Sequence, residues 1–424
     1  MELRRAQRVK GVVVVPPDKS ISHRALFFSS IASAPSEIRN VLDADDVKRT
    51  LNLLKLCGTE FEGDLKKLVV KPRPFREPSK PIYCGNSGTT ARIGMGLLAS
   101  RDGCFTLYGD KSLSRRPMLR VVKPLREMGA TVLGREGGAL LPIAIRGGDL
   151  KGIEYESPVA SAQVKSAFIL AALFASGKSV YREPWKSRDH TERMLKAMGA
   201  RLTEKNGSIE IEPTDELFPL KLEVPGDFSS AAFFITLGVI HGKGDIVIEN
   251  VNLNPTRTGL LRVLERMGAN VEVNLKGEEL EPIGSIRVSS SKLVGTVVSP
   301  EEAPQMIDEI PLVALLGAFA EGETVVRGAG ELRVKESDRI ASLVLELRKM
   351  GVDIEELEDG FLVRGGKGLH SAKDLNSHGD HRIAMLLSIA SLCVEDEGAS
   401  RIKGANWVKI SFPSFFDILG ELAR

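Results

Sequence analysis

Two kinds of helix alternate along the chain, and each leaves its own trace in the order of apolar and polar residues. The first kind is apolar nearly all round. Polar or small residues open a short apolar run six times: DKSISHRALFFSSIA, NSGTTARIGMGLLA, ASAQVKSAFILAALFA, DFSSAAFFITLGVI, MIDEIPLVALLGAFA and GDHRIAMLLSIASL, beginning near residues 18, 86, 160, 227, 306 and 379. A helix without a polar face has to be buried, so six core helices with polar starts are predicted. The second kind is amphipathic, carries Lys or Arg in its last turn and ends on glycine. LKLCGTEFE, REMGATVL, KAMGARLT, ERMGANVE and RKMGVDIE put that glycine at 58, 129, 199, 268 and 351, at intervals of 71, 70, 69 and 83 residues. Glycine suits the left-handed position that closes a helix, and the alternating residues after it predict strands.

The two markers keep phase with each other, which makes the chain a repeat of roughly seventy residues. Six units of strand, helix, strand, helix and strands predict an α/β fold of two similar domains with three repeats each. A chain of 424 residues also exceeds what one hydrophobic core usually serves. The hinge candidates are Pro16-Pro17 and Val224-Pro225-Gly226, one at each end of a three-repeat block. Residues 1–16 are therefore expected to return and complete the domain formed by 226–424, leaving 17–225 as the other domain.

Composition narrows the function. The 42% apolar and 27% charged residues are ordinary for a globular chain, and the net charge is +2. A chain-wide role on nucleic acid or a membrane surface needs a marked basic excess, so neither partner is expected. Cys57, Cys84, Cys104 and Cys393 are far apart with no CxxC pair, which predicts reduced thiols. The basic N-terminus is followed by only four apolar residues, Val12–Val15, before Pro16-Pro17, too few for a secretion signal. A cytoplasmic monomer is expected.

The candidate chemistry sits at the helix starts, where dipoles and free N–H groups favour anions. Lys19, Ser20 and Arg24 open the first core helix, combining a mobile point charge, a neutral donor and a planar fork. Asn86-Ser87-Gly88-Thr89 with Arg92 offers donors and a glycine that permits close backbone approach, although a simple N-cap reads the same way. Ser114-Arg115-Arg116-Pro117 follows a strand and also reads as a surface turn. Ser161 and Gln163 in SAQVK, and Ser187-Arg188-Asp189, are either caps or ligand contacts. Asp308-Glu309 adjoins an apolar helix, where acids are costly unless they cap, pair or catalyse. Glu331 and Lys335-Glu336-Ser337-Asp338-Arg339 precede an amphipathic helix. His378-Gly379-Asp380-His381-Arg382 has HxxH spacing, but no cysteine pair and no acidic third ligand point to a metal. The chain has no GxxxxGK[ST] loop, no dinucleotide fingerprint and no GxSxG elbow.

Taken in order, PPDKSISHRAL, CGNSGTTAR, SRRPM, ASAQVKSA, SRDHTE, MIDEIP, RVKESDR, GDHRIAM and SFPSFF resemble the 5-enolpyruvylshikimate-3-phosphate synthase family from about residue 11 to 416. ASAQVKSA and SRDHTE are similar to a bacterial branch of it. The resemblance implies two domains, each of three βαβαββ units, in the inside-out barrel of the enolpyruvyl transferases. It implies transfer of the carboxyvinyl group of phosphoenolpyruvate to the 5-hydroxyl of shikimate 3-phosphate, with release of phosphate and with no metal or organic cofactor. By resemblance, Lys19, Ser20, Arg24, Ser161, Gln163, Arg188, Asp308 and Lys335 hold shikimate 3-phosphate. Lys19, Asn86, Gly88, Arg116, Gln163, Arg339 and Arg382 hold phosphoenolpyruvate. Asp308 takes the hydroxyl proton, and Glu336, with Lys19 nearby, protonates the vinyl methylene carbon. Inhibition by glyphosate is expected at the Gly88 site.

Two positions depart from the family pattern. Ile410 stands where a lysine precedes the Phe-Pro stretch, with Lys409 one place earlier, and Glu331 stands where many members carry Asn. Two rivals remain. UDP-N-acetylglucosamine enolpyruvyl transferases share the repeat but typically carry a reactive cysteine before an Arg-Pro pair, and Gly109 to Pro117 contains none. A nucleic-acid clamp would need positive charge spread around a ring, whereas Asp308 and Glu336 sit among the cations.

Overall fold

The computed structural model describes residues 1–205, 207–278 and 280–423; Asn206, Glu279 and Arg424 lie outside the described residues. The chain divides into two compact units, Met1–Pro16 with Pro225–Arg424, and Pro17–Val224. In the second of these the helices are α1 (Lys19–Ser29), α2 (Asp45–Leu56), α3 (Gly88–Ala99), α4 (Leu119–Glu127), α5 (Ala162–Ala172) and α6 (His190–Ala197). In the other they are α7 (Phe228–Ile240), α8 (Gly259–Arg266), α9 (Ile310–Phe319), α10 (Arg339–Lys349), α11 (His381–Ser391) and α12 (Phe415–Leu422).

The odd-numbered helices are the buried ones. Every residue of α7 except Ser230 is buried, as is every residue of α11, and in α9 only Phe319 reaches the surface. Their apolar sequences leave no face for water, so each unit closes around three of them. In the Pro17–Val224 unit α3 and α5 approach so closely that a side chain on Gly96 would collide with the backbone of Ala167. The even-numbered helices carry one buried stripe and lie outside. Five of them end on Gly58, Gly129, Gly199, Gly268 and Gly351, whose φ values of 77° to 111° suit glycine best.

Five of the six repeats form a sheet in which the first and second strands are parallel, the fourth pairs with the second, and the third lies at the edge. Ile82–Tyr83, Gly103–Tyr108, Leu140–Gly147 and Thr131–Arg135 show the pattern in spatial order. Parallel strands need a crossover, and the buried helix supplies it. Two sheets take their first strand from far along the chain. Lys221–Glu223 pairs in parallel with Ser36–Arg39, and Val9–Val14 pairs in parallel with Gly244–Asn252.

The sixth repeat is shorter than the others. Its sheet has three strands among the described residues, Leu375–Asn376, Ala399–Lys403 and Glu2–Arg4. The sequence carries only five helix-closing glycines for six repeats, and the strand from Glu2 stands in for the missing hairpin. The Phe412 and Phe415 rings of the SFPSFF segment pack against Phe234 of α7 at 5.9 and 5.7 Å between centroids. That burial makes the segment part of the core, and leaves Lys409 exposed at the end of the short helix Ala405–Ile410. No helix among the described residues is long and apolar enough to cross a membrane.

Candidate active site

In the Pro17–Val224 unit the polar starts of α1, α3 and α5 interlock. Asp18 and Ser87 cap α1 and α3 by accepting from Ile21 N at 2.8 Å and Thr90 N at 3.2 Å. Arg24 donates to Thr191 Oγ1 and Ser166 Oγ, both at 2.8 Å, and to the Ala162 carbonyl at 3.3 Å. Gln163 joins α5 to α3 by donating to Thr89 Oγ1 at 2.8 Å and accepting from Arg92 at 2.7 Å. Arg188 donates to Ser20 Oγ at 3.3 Å.

Asn86 and Arg116 form the other side of this cluster. Arg116 donates to Asn86 Oδ1 at 2.5 Å, while Asn86 Nδ2 donates to Asp110 at 2.8 Å. A Cβ on Gly88 would stand 3.0 Å from Arg92 and 3.7 Å from Arg116. Lys19 reaches Asp46 Oδ2 at 3.1 Å from the start of α2. The cluster thus gathers Lys19, Ser20, Arg24, Asn86, Gly88, Arg116, Gln163 and Arg188, with Ser161 at the start of α5. Its excess of cations over Asp46 and Asp110 suits an anion with several oxygens.

The N-cap reading holds for Ser87, but it does not account for the other polar residues at these helix starts. Ser161 is the N-cap residue of α5 and Asp189 that of α6, yet neither side chain makes a capping bond. Asn86 does not cap α3, because Ser87 does. In SRRP, Arg116 is buried to 7% exposure while Arg115 stays on the surface.

The other unit gathers acids as well as cations, at the starts of α7, α9, α10 and α11. Arg339, 2% exposed, donates to Asp380 Oδ2 at 2.6 Å, to Glu336 at 2.5 Å and to Asp308 Oδ1 at 3.5 Å. Arg382 lies 3.6 Å from Asp308 Oδ2 and donates to its carbonyl at 3.4 Å. The Asp308 side chain, 16% exposed, therefore sits between two guanidinium groups. Burial draws the Lys335 ammonium down to about 8, against the opposing pull of Asp308 and Glu331. Burial also opposes the charge on Arg339, but Asp380, Glu336 and Asp308 outweigh it and hold its pKa above the usual value. Asp308, Lys335, Glu336, Arg339 and Arg382 are thereby brought together, and Glu331 is near enough to act on Lys335.

Several partners were not legible in the sequence. Glu309 is fully buried and accepts from Ser229, while Arg257 reaches Ser229 Oγ at 2.6 Å and Glu309 at 3.7 Å. This pairing anchors the start of α9 and hence Asp308. Asp46 lay hidden in DADDV, which reads as an ordinary acidic first turn. His378 Nε2 bonds Glu346 at 2.7 Å, and no group of three or more His, Cys, Asp or Glu that could hold a metal occurs among the described residues. Burial pushes the Cys57 and Cys84 thiols up to about 12, and Cys104 lies on the strand Gly103–Tyr108, outside the Gly109 to Pro117 loop.

Repeats of this topology with cation-lined helix starts are the build of an enolpyruvyl-transferase-like α/β enzyme. The EPSP synthase (3-phosphoshikimate 1-carboxyvinyltransferase) family matches residues 3–419. The chain is 52% identical over 421 residues to the 3-phosphoshikimate 1-carboxyvinyltransferase of Thermotoga neapolitana, covering 99% of each. It is 44% identical to the enzyme of that name from Bacillus pumilus, covering 100% of each. EPSP synthase from Acinetobacter baumannii superposes with a TM-score of 0.86 at 39% identity, over 99% of this chain and 97% of that one. The chain belongs to the EPSP synthase family, and it is a transferase.

Proposed function

We propose that the chain transfers the carboxyvinyl group of phosphoenolpyruvate to the 5-hydroxyl of shikimate 3-phosphate, and that each unit contributes one cluster to that reaction. Pro16-Pro17 and Val224–Gly226 serve as hinges between the domains 1–16 with 226–424 and 17–225. The observation that carries this reading is that two acids, Asp308 and Glu336, share the buried Arg339.

Arg24, Arg188, Ser20, Ser161 and Gln163 hold shikimate 3-phosphate, with Lys335 and Asp308 on the other unit. Asn86, Gly88 and Arg116, together with Arg339 and Arg382, hold phosphoenolpyruvate, with Lys19 and Gln163 touching both substrates. Bringing two polyanions together is opposed by their mutual repulsion, which these cations offset. Alignment of the reactants lowers the barrier by up to roughly 7–11 kcal/mol.

The hydroxyl oxygen forms a bond to C2 of phosphoenolpyruvate while Asp308 removes its proton. Glu336, with Lys19 beside the reacting carbon, delivers a proton to the methylene carbon, which becomes a methyl group. The adduct is tetrahedral and is not attached to the protein. Breaking the C–O bond to phosphate, with loss of a methyl proton, restores the double bond. No step calls on a metal or an organic cofactor. Mass and NMR analysis of the product tests this: an enol ether at the 5-oxygen is expected, and substitution at any other oxygen overturns it.

A further inference from the structure

Beneath the anion grip of the Pro17–Val224 unit lies a second set of charges that the proposed reaction does not use. Lys165 of α5 is 1% exposed; its ammonium donates two hydrogen bonds and makes an ion pair with a third acceptor, Glu192. It reaches Glu192 Oε1 at 2.8 Å, Glu183 Oε1 at 3.0 Å and the Ser187 carbonyl at 3.1 Å. Glu183 in turn accepts from Ser187 N at 2.8 Å and from Ser187 Oγ at 2.7 Å. One ammonium thus ties α5 to the end of the strand Ser179–Arg182 and to the first turn of α6.

Burying one ammonium with two carboxylates is costly, and packed apolar side chains would hold the same elements together at least as well. What the charges supply and apolar packing does not is a fixed geometry for the loop between Glu183 and α6. The residues flanking this network are those of the grip. Arg188 follows the clasped Ser187, and Thr191 precedes Glu192. Ser166 follows Lys165, and both Ser166 and Thr191 receive Arg24. The ammonium of Lys165 is itself spent on protein acceptors.

We propose that Lys165 is a positioning residue for shikimate 3-phosphate: by clasping Glu183, Ser187 and Glu192 it sets the place of Arg188 relative to Arg24. The inference rests on the function proposed above. It concerns only the binding of the phosphorylated acceptor, since Arg116, Asn86 and Gly88 lie on α3 and the loops beside it.

Removing Lys165 would strand two buried carboxylates and disturb folding, so the test uses Glu183→Gln and Ser187→Ala, which loosen the clasp and keep its shape. Both variants are expected to raise the KM for shikimate 3-phosphate roughly tenfold or more, the size of effect of a lost charge-assisted hydrogen bond. The KM for phosphoenolpyruvate and kcat should stay within about twofold. A purely structural clasp would lower the melting temperature and leave both KM values unchanged, and that result overturns the proposal. Wild-type turnover in the same assay separates the two claims. Its absence sinks the proposed reaction, whereas its presence with an unchanged acceptor KM in both variants sinks the role of Lys165.

Discussion

Arg339 at the start of α10 and Asp380 at the start of α11 meet at 2.6 Å, with 2% and 0% of their side chains exposed. Asp380 also accepts from Arg382 N at 2.8 Å, so one carboxylate fixes both arginines of this cluster. With Nε taken by Asp380, the remaining guanidinium nitrogens of Arg339 are turned towards Glu336 and Asp308. Their placement follows from helix-start chemistry and needs no ligand.

The proton acceptor is the most exposed claim of the mechanism. Asp308→Asn keeps the size of the side chain beside Arg339 and Arg382 but removes its capacity to accept a proton. Steady-state kinetics should show kcat reduced about 10²–10⁴-fold, with shikimate 3-phosphate still bound at near wild-type affinity. A kcat within threefold of wild type would remove Asp308 from that role.

Acceptor binding should weaken in alkali. Lys335 titrates near 8, so its charge is present at pH 7 and is lost as the pH rises through that value. The acceptor phosphate is already doubly ionised there, its second pKa being about 6. The KM for shikimate 3-phosphate is expected to rise above pH 8, and Lys335→Arg, which stays charged, should flatten the profile. A flat wild-type profile between pH 7 and 9 contradicts this.

At Gly88 a methyl group would stand 3.0 Å from Arg92 and 3.7 Å from Arg116, crowding the phosphoenolpyruvate grip. Gly88→Ala is expected to raise the KM for phosphoenolpyruvate several-fold and to weaken inhibition by glyphosate in parallel. Glyphosate at micromolar concentration should slow the wild-type enzyme in competition with phosphoenolpyruvate. Equal inhibition of both forms would show that Gly88 does not border that site.

His23 is fully buried with Nδ1 at 2.7 Å from Thr50 Oγ1, and burial lowers its pKa to about 3. The unfolded chain takes up a proton near pH 6.5 and the folded chain does not, so stability is full above that pH and falls below it. The loss attributable to His23 at pH 5.5 is about 1.4 kcal/mol. Its ring signals in NMR should stay unchanged from pH 7.5 to 5, and a midpoint near 6.5 would refute the assignment.

The repeat and its core helices were legible because both markers are local. A wholly apolar run such as PLVALLGAFA has only one place to go, and a glycine after a basic last turn marks a helix end wherever it falls. The candidate clusters were legible through family motifs, each of which turned out to sit at or beside a helix start. What could not be read were contacts made at long range in the chain. Arg257 meets Glu309, Lys165 meets Glu192, and Lys19 meets Asp46, and no local pattern distinguishes these residues from solvated or capping ones. The sixth repeat shows the same limit, since nothing in ELR announces that it will close a sheet with Ala399–Lys403.

Phosphate release from phosphoenolpyruvate, measured with each acceptor in turn, is the most direct experiment. Shikimate 3-phosphate should support stoichiometric release, with none from UDP-N-acetylglucosamine or from phosphoenolpyruvate alone. Release with the nucleotide sugar and none with shikimate 3-phosphate would contradict the assignment of both clusters.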